Sequence, residues 1–355
     1  MNSAQPDISV ITVNYNGYHD TCEFIDSWVN TVTSVPYEII VVDNGSTANE
    51  GLLLQQKYPS VHVIRSEQNL GFAGGNNLGI KSAKGNYLFL LNNDTLIVKD
   101  TVYLLIKRLL SSKGIAGISP LILNYTEPHT IQFAGYTPLS SITLRNRTIG
   151  RGSRDKSCYP ARKTSYLHGA AMLLKKQVID QIGLIPEEYF LYYEELEWCT
   201  RMTAEGYELW YDPAFEIWHK DGSSSGKGSP LQCYYLSRNR LLYAYRNLPG
   251  WRLYLALLYQ LVIVCPKNII TAWSKGQKKQ PKHIGKAQKH FSNLETKTNS
   301  YDIYWIFRFS IIRIMRFHCC LSADICHSSN SQTHRQIFRI ENKTSFRHSH
   351  PCLQG

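Results

Sequence analysis

Apolar runs that end abruptly in polar residues recur along the first part of the chain. Residues 8–14 (ISVITVN) and 38–43 (EIIVVD) are β-branched runs, and residues 87–94 (YLFLLNND) are an apolar run that ends in two amides and a carboxylate. Between the first two, residues 21–32 carry apolar side chains at helical spacing. Short buried runs of this kind predict strands, and the helix between them predicts a parallel strand-helix-strand unit.

The alternation of strand-like and helix-like stretches continues further along the chain. We predict a helix at 50–58, a strand at 61–65, a glycine-rich loop at 69–79 leading into a helix up to 83, a helix at 101–111, strands at 115–122, 208–211 and 216–218, and a strand interrupted by small residues within 166–176. Residues 124–163 are polar and turn-rich and receive no assignment. Strands alternating with helices predict a doubly wound α/β sheet covered on both faces.

The polar residues after these runs are candidates for chemistry, since ligands bind at the carboxyl edge of such sheets. Asp94 follows the apolar run directly, and Asn92 points the same way, so the two can reach one hard cation. An Asn-Asp turn that merely ends the strand explains the same residues. Asp43 can hydrogen-bond a ribose hydroxyl or a base, or it can simply close a turn.

The glycine-rich residues 69–79 can let backbone approach a ligand closely, but they lack the spacings of dinucleotide-binding and P-loop motifs. Small residues at Gly169, Ala170 and Ala171 indicate close approach of a ligand or of a packed neighbour.

Carboxylates cluster in the stretch 187–201 (EEYFLYYEELEWCTR). Glutamates in the first turn of a helix are stabilised by its dipole without any catalytic role. Aromatic neighbours and like charges, however, raise carboxylate pKa values towards those of a general base, and Arg201 can hold one carboxylate ionised. We select Glu195 as the candidate base.

His219 follows a strand-like stretch and precedes Lys220 and a Gly/Ser-rich basic loop. An imidazole here can meet a diphosphate or its metal when the loop closes, or it can be structural.

The composition of the 355 residues, with 43% hydrophobic and 19% charged, predicts a globular protein with a sizeable core. We expect no secretory signal, because the first residues are polar and lead straight into a strand. The nine cysteines contain no C-x-x-C pair, which favours a reducing compartment, with the cytoplasm as the default.

The net charge of +12 is concentrated after the first 220 residues, since no acidic residue lies between Asp221 and Glu295. Residues 231–246 interleave aromatic and basic side chains on a helical pattern, and the apolar stretch 253–265 is shorter than a membrane span. We predict that this segment lies on an anionic membrane surface; a core helix with a solvated basic linker is the alternative. Residues 296–355 show no clear periodicity, and no zinc pattern fits their cysteines and histidines.

Together, several motifs over about residues 7–250 resemble the family 2 glycosyltransferases, inverting enzymes of GT-A fold, and their bacterial rhamnosyltransferase-like branch. The resemblance rests on ITVNYNG, EIIVVDNGS, NLGFAGGNNLGI, FLLNND, LHGAAMLLKK, YFLYYEELEWCTR, WHKDGSS and YYLSRNRLLYAYRN. It implies a GT-A catalytic domain at 1–220, with a nucleotide-binding half at about 7–122 and an acceptor and base half at about 123–220. A basic, aromatic helical extension at 221–295 would be membrane-associated, and 296–355 would be an unassigned tail.

The resemblance also implies roles for single residues. Glu195 and Glu194 would stand at the base motif, and Asn92 to Asp94 would replace the metal-binding D-x-D motif, with Mg²⁺ or Mn²⁺ as the cofactor and His219 beside it. The donor-binding set would be Tyr15, Asn16, Asp43, Asn69, Gly71, Asn77, Asn92, Asn93, His219 and Arg238. The acceptor side would include His168, Gly169 and Trp198.

The activity implied is transfer of a single sugar, with inversion, from a nucleotide-diphosphate sugar such as dTDP-rhamnose to a hydroxyl of a lipid-linked or polysaccharide acceptor. The enzyme would work at the inner face of the plasma membrane, without nucleic acid as a partner. The leaving diphosphate would be neutralised by the metal, with His219, Lys220 or Arg238 assisting. A processive synthase is disfavoured because no Q-x-x-R-W motif is present. A sugar nucleotidyltransferase and a non-catalytic nucleotide-sugar-binding protein are the alternatives.

Overall fold

The computed structural model describes residues 6–127, 129–220, 229–274 and 285–287, all within one compact unit, Met1–Lys297. The strands in these residues are β1 Ile8–Asn14, β2 Tyr37–Asn44, β3 His62–Ser66, β4 Tyr87–Leu91, β5 Thr95–Ile97, β6 Ile115–Asn124, β7 Ile131–Phe133, β8 Arg162–Lys163, β9 Ala171–Lys175 and β10 Glu208–His219. The helices are α1 Tyr18–Thr31, α2 Glu50–Lys57, α3 Gly71–Ser82, α4 Val102–Leu110, α5 Lys176–Ile182, α6 Glu194–Ala204, α7 Pro230–Asn247, α8 Trp251–Tyr259 and α9 Cys265–Ser274.

One sheet joins these strands in the order β3-β2-β1-β4-β9-β6-β10-β5, with β7 on β6 and β8 on β10. The block β3-β2-β1-β4 is parallel, and so is the pair β6-β10, whereas β9 runs antiparallel between β4 and β6. The predicted doubly wound α/β sheet is confirmed, with antiparallel strands inserted beside its parallel block.

Helices cover both faces of the sheet because the central strands are apolar on both sides. Along β4, Phe89 packs into the cluster that contains Trp28 of α1, while Leu88 and Leu90 pack into the cluster that contains Trp198 of α6. All five of these side chains are at most 1% exposed. The period-2 alternation of the strand therefore builds two cores, one on each face.

The glycine-rich stretch differs from its prediction as a loop, because α3 begins at Gly71 and continues through it. A Cβ on Gly75 would lie 2.9 Å from Val13, and one on Gly79 would lie 2.4 Å from Ile11. These glycines therefore let α3 lie directly on β1, and close helix-sheet packing replaces the predicted approach of a ligand.

The unassigned polar region folds back on itself beside β6. Backbone hydrogen bonds join Ile131 to Ser153, Ala134 to Ile149 and Thr137 to Arg147. The two predicted strands at 208–211 and 216–218 form the single strand β10, whose pairing with β6 shifts between Asp212 and Glu216.

After the sheet, α7 and α8 lead through a π-helical turn at Gln260–Val264 into α9. Within the residues that the structure describes, none of the helices has the length and apolarity to cross a membrane. The predictions for the tail at 296–355 and for the basic loop at 221–228 lie outside the described residues.

Candidate active site

Polar side chains meet where β1 and β2 end, because the two strands pair in parallel with Asn14 beside Asp43. Asn14 Nδ2 donates to Glu50 Oε2 at 2.8 Å and to Ser46 Oγ at 3.2 Å, and its Oδ1 accepts from Thr21 at 2.7 Å. This network ties β1 to the first turns of α1 and α2. It makes the carboxyl edge of the sheet a pre-organised polar surface.

Asp43 is fully buried, and both of its carboxylate oxygens have partners. Oδ1 accepts from Ser46 N at 3.2 Å, and Oδ2 accepts from Gly51 N at 2.9 Å and pairs with Arg65 at 2.5 Å. The backbone amide lies at the start of α2, where an anion is also favoured by the helix dipole. Asp43 is thus anchored, and a nucleotide would have to meet it together with Arg65.

A cavity of about 380 Å³ opens beside these strand ends, lined by Asn16, Gly17, Tyr18, His19, Asp20, Ala48, Glu50 and Leu53. Asn16 has φ 50° and accepts from Thr47 N at 2.8 Å, so its backbone turns sharply at the rim. Tyr15 is 42% exposed next to it. Of the predicted donor-binding residues, Asn16 lines this cavity and Tyr15 flanks it.

The Asn-Asn-Asp turn after β4 is held by its neighbours on both sides. Asn92 N donates to Ala170 O at 3.0 Å, and Asn93 Nδ2 donates to Thr21 Oγ1 at 2.9 Å. These bonds leave Asp94 buried at 4% exposure at the edge of the sheet. The turn is therefore both a strand end and a fixed support for a carboxylate.

Asp94 and His219 come together across the sheet. His219 Nε2 lies 3.1 Å from Asp94 Oδ1 and 3.5 Å from Asn92 Nδ2, and His219 Nδ1 lies 3.0 Å from Gln132 Oε1. An Nδ1–H that donates to Gln132 directs Nε2 towards Asp94. The structure therefore brings together the three residues predicted to hold a metal.

Asp94 and His219 together offer ligands for a divalent metal. A carboxylate oxygen and an imidazole nitrogen at 3.1 Å are ligand types that Mn²⁺ accepts. In the described part of the chain, no group of three or more His, Cys, Asp or Glu side chains could hold an ion. The set fits an ion that takes most of its ligands from water and donor phosphates, as Mg²⁺ does.

Glu194 and Glu195 begin α6 as adjacent carboxylates, of which Glu194 is buried and Glu195 half-buried. Burial raises the pKa of both, and the neighbouring Glu195 raises the pKa of Glu194 further. One oxygen of each has no hydrogen-bond partner among the described residues. A carboxylate with a raised pKa and a free oxygen has the properties of a general base.

Glu195 lies beside the residues predicted on the acceptor side. A methyl group on Gly169 would be 4.0 Å from Glu195 Cγ, and the pKa of Tyr136 is raised by burial first and then by the charge of Glu195. The ring of His168 stacks on Tyr136 with centroids 5.9 Å apart, and it meets the ring of His219 edge-on at 6.2 Å. His168 and Gly169 thus bridge the space between Glu195 and the Asp94–His219 pair.

The third glutamate of the cluster is tied down. Glu197 is 3% exposed and pairs with Arg201 at 2.6 Å and with Arg246 of α7 at 3.0 Å. Tyr189 donates its hydroxyl to the other oxygen of Glu197. Arg201 therefore holds one of the glutamates, as predicted, and Glu197 is not the free base.

Two predicted diphosphate-binding cations are occupied elsewhere. Arg238 is 5% exposed, donates to the Glu188 carbonyl, and donates from Nε to Asn239 Oδ1 at 2.7 Å. Lys220 Nζ pairs with Asp20 at 2.5 Å and with Glu23 at 2.6 Å. Each of these two cations has its own local partners, and their contact with a diphosphate stays a prediction.

Three further residues predicted on the donor side also have partners of their own. Asn77 is 1% exposed and binds the backbone of Ile185 through both ends of its amide. Asn69 Oδ1 accepts from Gly71 N at 2.8 Å, and Gly71 lies against the Phe190 carbonyl. These residues join α3 to the segment before α6 and are not among the residues that line the cavity beside β1 and β2.

Trp198 was predicted on the acceptor side, but its indole lies in the core at 0% exposure. Its Nε1 donates to Gly183 O at 2.9 Å. The prediction is wrong for this side chain because the indole is enclosed in the core on one face of the sheet and its N–H already has a partner.

Sequence reasoning missed Gln132 and Asn239. Gln132 lies within a polar stretch without periodicity, so nothing local distinguishes it. Asn239 stands in the motif YYLSRNRLLYAYRN, where an amide beside an arginine on an otherwise apolar helix face was the available signal.

A comparison with known protein families identifies the domain that carries this sheet. Residues 9–183 match the model described as glycosyl transferase family 2. The chain carries a glycosyltransferase family 2 domain. The predicted family and enzyme class are thereby confirmed, and a sugar nucleotidyltransferase is disfavoured.

Two curated relatives resemble this glycosyltransferase over most of their length. The low-salt glycan biosynthesis hexosyltransferase Agl10 of Haloferax volcanii is 28% identical over 248 residues, which cover 66% of this chain and 75% of the relative. The N-acetylglucosaminyl-diphospho-decaprenol L-rhamnosyltransferase of Mycobacterium tuberculosis is 22% identical over 240 residues, which cover 62% and 78%.

A solved structure shares the fold. The crystal structure of GalNAc-T7 with UDP, GalNAc and Mn²⁺ superposes with a TM-score of 0.53 at 16% identity, and the match covers 69% of this chain and 51% of that one. At this identity the likeness shows the fold alone, which is that of GT-A enzymes.

Proposed function

We propose that this glycosyltransferase transfers a single sugar, with inversion, from a nucleotide-diphosphate sugar to a hydroxyl of a lipid-linked or polysaccharide acceptor in glycan synthesis at the cell surface. The two curated relatives are named for glycan biosynthesis and for rhamnosyl transfer to a diphospho-decaprenol sugar, which supports this class of reaction. The name of the second relative supports a rhamnosyl donor, and dTDP-rhamnose is the first donor to test.

The observation that carries the proposal is the line of side chains from Glu195 past Gly169 and His168 to His219 and Asp94. One end offers a carboxylate with a raised pKa, and the other offers ligands for a diphosphate and its cation. A sugar bound between them would have an acceptor hydroxyl on one side and its leaving group on the other. In-line displacement requires this arrangement.

In the proposed reaction, Glu195 accepts the proton of the acceptor hydroxyl while that oxygen forms a bond to the anomeric carbon. The bond from the anomeric carbon to the diphosphate oxygen breaks, and the nucleoside diphosphate leaves with the electron pair. Asp94 and His219, with Asn92 beside them, would hold a Mg²⁺ or Mn²⁺ ion, which supplies charge neutralisation for the diphosphate. Gln132 would keep the His219 ring oriented.

A first experiment would incubate the protein with a panel of nucleotide sugars, with and without Mg²⁺ or Mn²⁺, and with lipid-diphosphate sugar acceptors. Release of nucleoside diphosphate only when acceptor is present, and an inverted anomeric configuration of the product by NMR, would support the proposal. Donor binding without any turnover would instead favour the non-catalytic alternative.

The Glu195→Gln variant tests the base. Removing a general base typically costs about 10²- to 10⁴-fold in rate, and donor affinity should change little because the diphosphate lies at the other end of the site. Glu205→Gln at the exposed end of α6 is the matched control and should keep wild-type activity. Transfer preserved in Glu195→Gln, with donor affinity lost, would sink the assignment.

We also propose that the enzyme works at the cytoplasmic face of an anionic membrane. Exposed apolar side chains continue from α8 through the π-helical turn into α9; they are Trp251, Tyr254, Leu255, Leu258, Val262, Ile263 and Ile270. The described residues of this stretch carry Arg252 and Lys267 and no carboxylate. Apolar and basic groups on one surface bind the interface of anionic membranes.

This apolar stretch is close to the catalytic segment. Gln260 Nε2 in the π-helical turn donates to Thr143 O at 3.0 Å, and the carbonyl of the next residue, Leu144, accepts from the Tyr193 hydroxyl at 3.0 Å. Tyr193 directly precedes Glu194. A membrane on the apolar stretch would therefore present a lipid-linked acceptor next to the base.

Co-sedimentation with vesicles tests this membrane proposal. We expect binding to vesicles that contain phosphatidylglycerol, weaker binding to phosphatidylcholine alone, and loss of both in the double variant Leu258→Ser/Val262→Ser. Leu110→Ser removes an equally exposed leucine, at 61%, from α4 and should bind as wild type. Equal binding of both variants, or no binding of the wild type, would overturn the proposal.

A further inference from the structure

The segment between the short 3₁₀ turn at Glu187–Tyr189 and α6 has an unusual backbone. Phe190, Tyr192 and Tyr193 have φ values of 64°, 70° and 76°, and Tyr193 immediately precedes the carboxylate pair. Positive φ is unfavourable for residues with a Cβ, most of all for bulky ones, and it persists only where the surroundings impose it. Something outside the segment must hold it.

Asn239 of α7 supplies that constraint. Its Nδ2 donates to Tyr189 O at 2.9 Å, to Leu191 O at 2.7 Å and to Tyr192 O at 2.7 Å. The side chain is fully buried, and its Oδ1 accepts from Arg238 Nε at 2.7 Å. Three carbonyls of the strained segment therefore converge on one amide group.

An amide is the side chain that this position requires. It offers two N–H donors to the carbonyls and one oxygen acceptor to the arginine. A carboxylate of the same size would place oxygen against oxygen at the three carbonyls, and an alanine would leave those carbonyls without this donor.

Other hydrogen bonds hold neighbouring carbonyls of the segment, and the hydroxyls of Tyr192 and Tyr193 accept from Gln232 and Arg240. Arg238 donates to the Glu188 carbonyl, and the Phe190 carbonyl accepts from Phe72 N at 2.8 Å. Leu191 O and Tyr192 O are held by Asn239. The backbone of residues 191 and 192 sets the direction in which the chain enters α6.

We propose that Asn239 is a positioning residue for the base: it holds the left-handed turns of the segment so that α6 starts with Glu195 facing Gly169 rather than solvent. The inference deepens the proposed function and rests on it for the role of Glu195. Asn239 acts on the reaction only through the segment, since its side chain is enclosed between α7 and these carbonyls.

The experiment compares Asn239→Ala, Asn239→Ser and Asn239→Asp with Asn247→Ala. Asn247 lies at the end of the same helix and donates only locally, to Tyr243 O at 3.0 Å, so its variant controls for a lost amide on α7. We expect kcat to fall by about 100-fold in Asn239→Ala, because a misplacement of about 1 Å costs that much. Donor affinity should stay within about twofold, since the donor ligands lie on the sheet edge.

Asn239→Ser keeps one donor and should recover part of kcat, whereas Asn239→Asp should be at least as impaired as Asn239→Ala. A kcat in Asn239→Ala equal to that of Asn247→Ala, measured on folded protein, would overturn the inference, and so would a loss of donor affinity in place of kcat. Either result would leave Asn239 a merely structural residue.

Amide hydrogen exchange gives a readout that does not need turnover. Peptides that cover residues 189–196 should exchange faster in Asn239→Ala than in Asn247→Ala, while the strands β1 and β4 stay protected. Exchange unchanged in this segment would also overturn the inference. If the wild type transfers no sugar but the exchange result holds, the proposed function fails and the positioning of the segment stands.

Discussion

The two halves of the site are built in different ways. On the proposed donor side, Asn14 and Asp43 lie in paired parallel strands, and Asp94 lies in the turn after β4 that backbone hydrogen bonds of Asn92 and Thr95 hold. On the proposed base side, Glu194 and Glu195 follow a segment outside the sheet that is bent through positive φ values and held by the Phe72 backbone amide of α3 and by Asn239 of α7. Hydrogen bonds between paired strands make the proposed donor side part of the global fold. The proposed base side depends instead on a few groups that are distant in the sequence.

This difference has a consequence for stability and activity. Damage to the sheet should remove both together, because the donor edge exists only while the sheet is intact. Damage to the ties on the base segment should remove activity first, since local segments open with a lower free energy than the core. Variants that damage the sheet should therefore lose stability and activity together, and variants that damage the ties on the base segment should lose activity first.

The largest effect on stability is expected for Trp28→Ala. Trp28 is fully buried and packs edge-on against Phe89 of β4 with ring centroids 5.9 Å apart. Its truncation should lower the free energy of unfolding by about 3–5 kcal/mol in urea titrations, while kcat per folded molecule stays near wild type. Trp251→Ala, at 66% exposure, is the control and should change stability by no more than about 0.5 kcal/mol. A fall in the kcat of folded Trp28→Ala would contradict the expected difference between the two sides of the site.

A smaller effect on stability is expected at Gly71, where α3 contacts Phe190 of the segment before α6. Gly71 has φ 72°, and a Cβ there would lie 2.2 Å from the Phe190 carbonyl oxygen. Gly71→Ala should cost about 1–3 kcal/mol and also lower kcat, because Phe190 must move. Gly183→Ala has φ 86° with open space around it, so it isolates the backbone part of the cost. Equal kcat values for the two variants would show that the contact with Phe190 does not transmit to the base.

The pH dependence of stability tests the buried carboxylate pair. Burial and Glu195 raise the pKa of Glu194 well above its ordinary value of 4.5, so the folded state binds this proton more tightly than the unfolded state. The resulting stabilisation is complete below that ordinary value and is lost as the pH rises through the raised one. Glu194→Gln stays neutral, so it should be more stable than wild type at about pH 8, and this advantage should vanish as the pH falls.

Urea unfolding of both proteins across this pH range gives the measurement. Asp180→Asn changes a carboxylate that is 62% exposed on α5 and should show no such trend. A stability difference between Glu194→Gln and wild type that is the same at every pH would contradict a raised pKa at this site. The rate of transfer should fall as the pH drops below the raised pKa of Glu195, since the base must be ionised.

The local sequence was sufficient to predict the elements that depend on short-range patterns of residues. β1, β2 and β4, the polar residues at their ends and the carboxylates that start α6 could all be predicted from apolar runs and their punctuation. These features depend on the alternation of apolar and polar residues and on secondary-structure propensity over fewer than about ten residues. Both can be read directly from the sequence. The residue pattern offered Asp94 and His219 separately as candidates for a metal or diphosphate site, and the resemblance to a family placed them together.

Tertiary structure decided what each polar side chain contacts. Arg238 and Lys220 look alike as free cations in the sequence, yet each is paired in the fold, with Lys220 bound to a carboxylate 200 positions away. Glycines 75 and 79 allow either a loop or a helix pressed on a strand, and only the proximity of β1 selects the helix. The positioning role proposed for Asn239 follows only from the location of α7 beside the strained segment.

The physical reason is the range of the interactions. Backbone propensity and hydrophobic periodicity are properties of neighbours in the chain, so the sequence determined the strands, their polar ends and the position of Glu195. Hydrogen bonds and ion pairs between distant elements depend on which side chains the topology brings within about 3 Å. Only the tertiary structure could therefore decide that the base segment is held from α7.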